Sequence, residues 1–152
     1  MNGAQIHLLL NHMPLFLPAI GAGLVAFGLI AKSRDNRNMG AGLILIGAIA
    51  AIAVYLTGEG AENILKNYPG SSRLLIEDHA AAALPTLIML ELSGAASLVL
   101  LYGSRTKKAF GEKRWVWGML LLLSAVALIA VARTAHLGGL IRHEEIRGND
   151  RY

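Results

Sequence analysis

Five histidines, His7, His12, His79, His136 and His143, are the side chains best equipped for chemistry in this sequence. A neutral imidazole offers one ring nitrogen to a metal or a haem iron, while a hydrogen bond at the other fixes the orientation of the ring. His136 and His143 are seven residues apart, so on a helix they share one face, two turns or about 10.5 Å along the axis. His7 and His12 are five apart, which separates them by about 140° around a helix and about 7.5 Å along it, too far to hold one ion together. They suit two sites, or one ligand and one supporting role. Arg133, one turn before His136, can hold a carboxylate such as a haem propionate or reach for an interface. Glu59, Glu62, Glu77 and Asp78 add a carboxylate set that, with histidines, suits zinc or non-haem iron, although such clusters are most often simply solvated. The chain has no cysteine, which excludes disulfides, thiolate metal sites, iron–sulfur ligation and covalently attached c-type haem.

The elements that must position these groups are apolar. Of 152 residues, 55% are hydrophobic and only 16% charged, and the mean hydropathy is +0.51, far too apolar for an ordinary soluble domain of this size. Four stretches, about 6–31, 39–57, 80–102 and 115–140, reach the roughly 20 helical residues that span a hydrocarbon core. The first carries no charge from Met1 to Ala31, and its apolar run is too long for a signal peptide. None alternates at period two, which argues against barrel strands. The expectation is an all-α, integral membrane, four-helix up-down bundle forming a single transmembrane domain over residues 1–152. Pro14, Pro18 and Pro85 fall inside it and predict kinks. Glu91 falls near mid-membrane, where hydrogen bonding to another helix through Ser93, Ser97 or Ser124 is the plainer account and a proton path the bolder one.

Charge orients the bundle. Lys32, Arg34 and Arg37 follow the first stretch, and Arg105, Lys107, Lys108, Lys113 and Arg114 follow the third, so eight of the 14 basic residues flank one face. The connection between the second and third stretches holds the four carboxylates against Lys66 and Arg73. Basic loops stay in the cytoplasm, which predicts a bacterial inner-membrane protein with both termini and all five histidines on the periplasmic side. Trp115 and Trp117 fit an aromatic belt on the cytoplasmic side. The formal charge of +4 is confined to short loops instead of forming a basic face, so nucleic acid is not the expected partner.

A bundle whose facing helices supply two imidazoles is a natural haem b site, with neutral rings coordinating the iron from both sides of the porphyrin. His12 and His79 adjoin strongly apolar runs, where an unpartnered imidazole is costly, and belong to diagonally opposed helices, so they form the preferred axial pair. His7 and His143 make a shallower pair, and His136 an alternate ligand or a supporting donor. A histidine at an interface is also often just an amphipathic tip, most plainly His7 or His143. Gly21, Gly23, Gly40, Gly42, Gly47, Gly138 and Gly139 allow flat rings or neighbouring helices to approach, and packing is the ordinary use of such residues.

The strings HLLLNHMP (His7 to Pro14), TGEGAE (Thr57 to Glu62), EDH (Glu77 to His79) and HLGGLIRHEEIR (His136 to Arg147) together resemble a bacterial family of small four-helix integral membrane proteins of unassigned function. Members resembling this chain occur alone or fused to Rieske-type iron–sulfur or c-type cytochrome modules, and the resemblance covers nearly the whole chain. It implies electron transfer, with His7, His12, His79 and His143 at the family's histidine positions and His136 matching less closely. Other branches have a longer gap between the glycine pair and the last histidine, with an aromatic before it, and His143 departs from that pattern.

The expected function is a b-type cytochrome subunit binding one or two haem b groups and relaying electrons between a quinone or membrane redox partner and a periplasmic redox protein, within a larger assembly. Two alternatives stand beside it: a non-redox structural subunit, and a metal site of histidines and carboxylates with His7, His12, His79 and His143 as ligands.

Overall fold

The computed structural model describes residues 2–67, 71–106 and 108–143. Its helices in chain order are α1 (Gly3–Leu10), α2 (Met13–Ile30), α3 (Arg34–Leu65), α4 (Arg73–Arg105), α5 (Ala109–Glu112) and α6 (Arg114–Arg142). Among the described residues there is no strand. Four rods, Gly3–Ile30 (α1 with α2), Arg34–Leu65, Arg73–Arg105 and Arg114–Arg142, are long and apolar enough to cross a membrane. α2 packs on α3, α3 on α4, α4 on α6 and α6 back on α2, so the ring closes with the first rod diagonal to α4. Lys107 and the final residues of the HLGGLIRHEEIR string, 144–147, lie outside the described residues.

Several helix boundaries differ from the sequence expectation. The first rod breaks at Asn11–His12, and Pro14 sits in the first turn of α2, where its missing N–H removes no helical bond, so it starts a helix instead of kinking one. α3 and α4 also run well past their apolar stretches. Ser33 and Ser72 cap them, their hydroxyls accepting from the amides of Asn36 and Leu75. Helices of 32 and 33 residues reach about 48–50 Å, longer than a hydrocarbon core of ~30 Å. Arg34 and Arg37, and likewise Glu59, Glu62, Glu77 and Asp78, are therefore helical residues, not loop residues.

Each rod turns one narrow stripe inward at alternating spacings of three and four. The stripes run Pro14, Pro18, Gly21, Val25, Gly28 on α2 and Arg37, Ala41, Ile44, Ala48, Ala51 on α3. On α4 they continue as Thr86, Leu90, Ser93, Ser97, Leu100, Ser104, and on α6 as Trp117, Leu120, Ser124, Ala127, Val131. Small residues set the spacing between rods. A Cβ on Gly21 would meet the carbonyl oxygen of Gly40 at 2.6 Å, so α2 and α3 cross in backbone contact. A Cβ on Gly47 would strike the Pro18 ring at 2.6 Å, whereas Gly23, Gly42 and Gly139 face open space.

The basic end is tightly tied. Trp117 is fully buried on the α6 stripe, its indole Nε1–H donating to Gly111 of α5 at 2.9 Å, and the Arg37 guanidinium lies 5.3 Å over its ring. It is a core residue, while Trp115, at 63% exposure, keeps the outward position expected of both tryptophans. Arg34 Nε donates to Ser104 Oγ at 2.9 Å, joining α3 to α4.

Candidate functional site

Followed to the opposite end, the four stripes run on to two imidazoles and two glycines. Seven residues before Thr86 on the α4 stripe is His79, and seven before Pro14, through Asn11, is His7. The α3 stripe passes from Ala51 through Val54 to Gly58, and the α6 stripe from Val131 through Thr134 to Gly138. The histidines come from diagonal rods and the glycines from the other two.

The same local device occurs twice here. His7 Nδ1 lies 2.9 Å from the carbonyl oxygen of Val54, and His79 Nδ1 lies 3.0 Å from that of Thr134. A carbonyl only accepts, so each Nδ1 carries the proton and donates, and each Nε2 is left with a free lone pair. Each accepting carbonyl stands four residues before a glycine, Val54 before Gly58 and Thr134 before Gly138. With no Cβ there, the ring can lie against the neighbouring helix. A Cβ would come within 3.2 Å of His79 Cε1 at Gly138 and 3.8 Å of His7 Cε1 at Gly58. Thr134 is itself held, its hydroxyl 2.8 Å from that of Thr86. The two imidazoles are half-buried.

The other candidates stand apart from these two. His12 is exposed at the start of α2 and stacks on Phe16, with centroids 6.2 Å apart and planes 8° from parallel. It falls one residue past the stripe position held by Asn11. His136 is exposed and off the α6 stripe, and His143 is an exposed residue ending α6 in extended backbone. The inward register thus holds His7 and His79, and not His12. Arg133 lies exposed beside a groove between α4 and α6, off the inward stripe.

The carboxylates do not converge either. Glu59, Glu77 and Asp78 are exposed, and Glu62 pairs with Lys66 at 2.6 Å. Among the described residues, no three His, Cys, Asp or Glu side chains gather as a metal-binding group. The serine contact expected of Glu91 is not formed among them: Ser93 Oγ donates to Met89 O at 3.0 Å, and Glu91 Oε1, Ser97 Oγ and Ser124 Oγ are buried without a hydrogen-bond partner.

No family model, curated protein or solved structure matches the chain. The site rests on its own geometry. The signal that distinguishes His7 from His12 was present in the sequence as phase: His7 is in register with Pro14, Pro18, Gly21 and Val25 at spacings that sum to sevens, and His12 is out of register.

Proposed function

We propose that the chain is a membrane-embedded b-type cytochrome subunit of a bacterial inner membrane, with its histidine end toward the periplasm, relaying electrons between a quinone or membrane redox partner and a periplasmic redox protein. The observation that carries this reading is the paired device: two imidazoles from diagonal helices, each Nδ1–H fixed to a backbone carbonyl, each Nε2 free to coordinate. Haem requires only two protein ligands because the porphyrin supplies the rest, whereas zinc sites take three or four from the protein. The two-imidazole set suits the first, and the carboxylates add no third donor. His7 and His79 would hold the iron, with Gly58 and Gly138 keeping space beside the rings. His12, His136 and His143 are exposed and off the inward stripes, and take no ligand role in this reading.

Bound haem would supply one-electron chemistry at its iron. The chain's own part is to fix the tautomer and orientation of both rings through Val54 and Thr134, to make them more basic ligands by accepting from Nδ1–H, and to keep water away with the apolar rods. Large apolar residues such as Ile30, Leu56 and Ile129 are at least 72% exposed on the outside of the bundle, while Ser93, Ser97, Ser104 and Ser124 are buried among the apolar residues of the inside. That apolar outer face supports a lipid surrounding. Lys32, Lys108, Lys113 and Arg114, exposed at the far end, support a cytoplasmic position for it. The test is haem content of the purified chain after expression with a haem precursor. One extractable haem b per chain is expected, and a folded, helical chain that never acquires b-type absorption would overturn the reading.

A further inference from the structure

The geometry points to a quinone-headgroup site in the groove between α4 and α6, open to the outside of the bundle and separated from the His79 imidazole by Thr134. The groove encloses about 280 Å³ and is lined by Asp78, Ala81, Ala82, Pro85 and Thr86 on α4 and by Ala130, Arg133, Thr134 and Leu137 on α6. That is near the lower limit of ~300 Å³ for small-molecule pockets, enough for a ring and not for a whole lipid. The space exists because three of these residues are alanines. Pro85 adds an acceptor: it has no N–H to return to the carbonyl of Ala81, so that oxygen loses its usual helical partner at the groove.

The polar groups suit a neutral ring bearing oxygens at both ends. Arg133 and Asp78 are exposed at the groove, and among the described residues neither forms an ion pair. A guanidinium can donate to a quinone carbonyl, and a carboxylate can accept from a quinol hydroxyl. Thr86 and Thr134 contribute hydroxyls whose mutual bond leaves further acceptor capacity. One positive and one negative group make the lining neutral overall. A phosphate monoester or anionic lipid would meet the Asp78 carboxylate with a single cation in compensation, which disfavours it. The walls of Ala81, Ala130, Pro85 and Leu137 are apolar, as a flat ring and the root of an isoprenoid tail require, and the exposed edge at Ala81 and Pro85 lets that tail leave sideways. Thr134 places the site next to the redox reading, since its side chain lines the groove while its carbonyl holds His79. Binding stands on the groove alone; only the passage of electrons to an imidazole-bound haem rests on the proposed function.

The test is equilibrium binding of decylubiquinone to the full chain in nanodiscs, measured by extraction of bound quinone, for the wild type and for Ala81→Leu and Arg133→Gln. Both substitutions are at exposed positions, and helical content and gel-filtration behaviour verify folding. Saturable binding weakened at least tenfold by each variant is expected. Absence of saturable binding, binding that survives both substitutions, or displacement by phosphatidylethanolamine but not by a second quinone would overturn the site. A chain that binds quinone and carries no haem loses the cytochrome reading and keeps the groove, and the reverse result separates them the other way.

Discussion

At the basic end the inward stripes carry Val25, Ile44, Leu100, Trp117 and Leu120, none more than 3% exposed, and the polar groups among them are tied by Arg37 over Trp117 and Arg34 to Ser104. At the other end the same stripes carry His7, Gly58, His79 and Gly138, half-buried, held by two bonds to backbone carbonyls. Both ends have a packed core, that of the histidine end being Leu75, Ile76, Leu140 and Ile141, but only the histidine end also carries two imidazoles and two glycines on its stripes. The helical phase is common to both ends, and only the residue types placed on it separate a structural anchor from a site.

Substitutions that break this division are the most informative. Trp117→Ala removes the largest buried side chain, its N–H bond and its contact with Arg37, and should cost about 3–5 kcal/mol in thermal unfolding in detergent while leaving any haem spectrum unchanged in shape. His79→Ala should do the reverse, costing only about 0.5–1.5 kcal/mol for one lost hydrogen bond while abolishing haem retention. The glycines sharpen the contrast within the site. A Cβ at Gly138 comes to 3.2 Å of His79 and one at Gly58 only to 3.8 Å of His7. Gly138→Ala should therefore lower haem occupancy and Gly58→Ala should leave it near wild type, as read by absorbance per chain. Thr86→Val removes the bond that steadies Thr134 and should cost about 0.6–1.7 kcal/mol, with a small shift in reduction potential by redox titration. The smallest effect belongs to the basic-end turn. Lys32 has φ 56°, a left-handed conformation that glycine adopts freely, so Lys32→Gly should raise the unfolding temperature by an amount equivalent to about 0.5–1 kcal/mol.

The four rods were legible because lipid-length apolar runs are long and lack charge, and the runs at 80–102 and 115–140 lie inside the helices found. Their ends were not, since Ser33 and Ser72 cap helices whose polar first turns look like loops to a hydropathy window. The small helix α5 escaped notice for the same reason: Ala109–Glu112 is four residues long and has no periodicity to show. In the site, His79 was singled out from its apolar surroundings and does sit inward. The same argument favours His12 over His7, because hydrophobic neighbours report depth and not direction. Direction is carried by phase, and phase across the Asn11–His12 break places His7 inward and His12 outward. The Val54 and Thr134 carbonyls have no sequence signature, so the tautomer-fixing bonds could only come from the structure.

In the proposed function His7 and His79, and not the exposed histidines, bind the haem. The most direct measurement is the reduced-minus-oxidised difference spectrum of the His7→Ala and His79→Ala chains beside that of His12→Ala, all purified at equal helical content. The b-type bands are expected in the wild type and in His12→Ala, and their loss is expected in the other two. Bands that persist in both His7→Ala and His79→Ala, or that vanish only with His12, would contradict it.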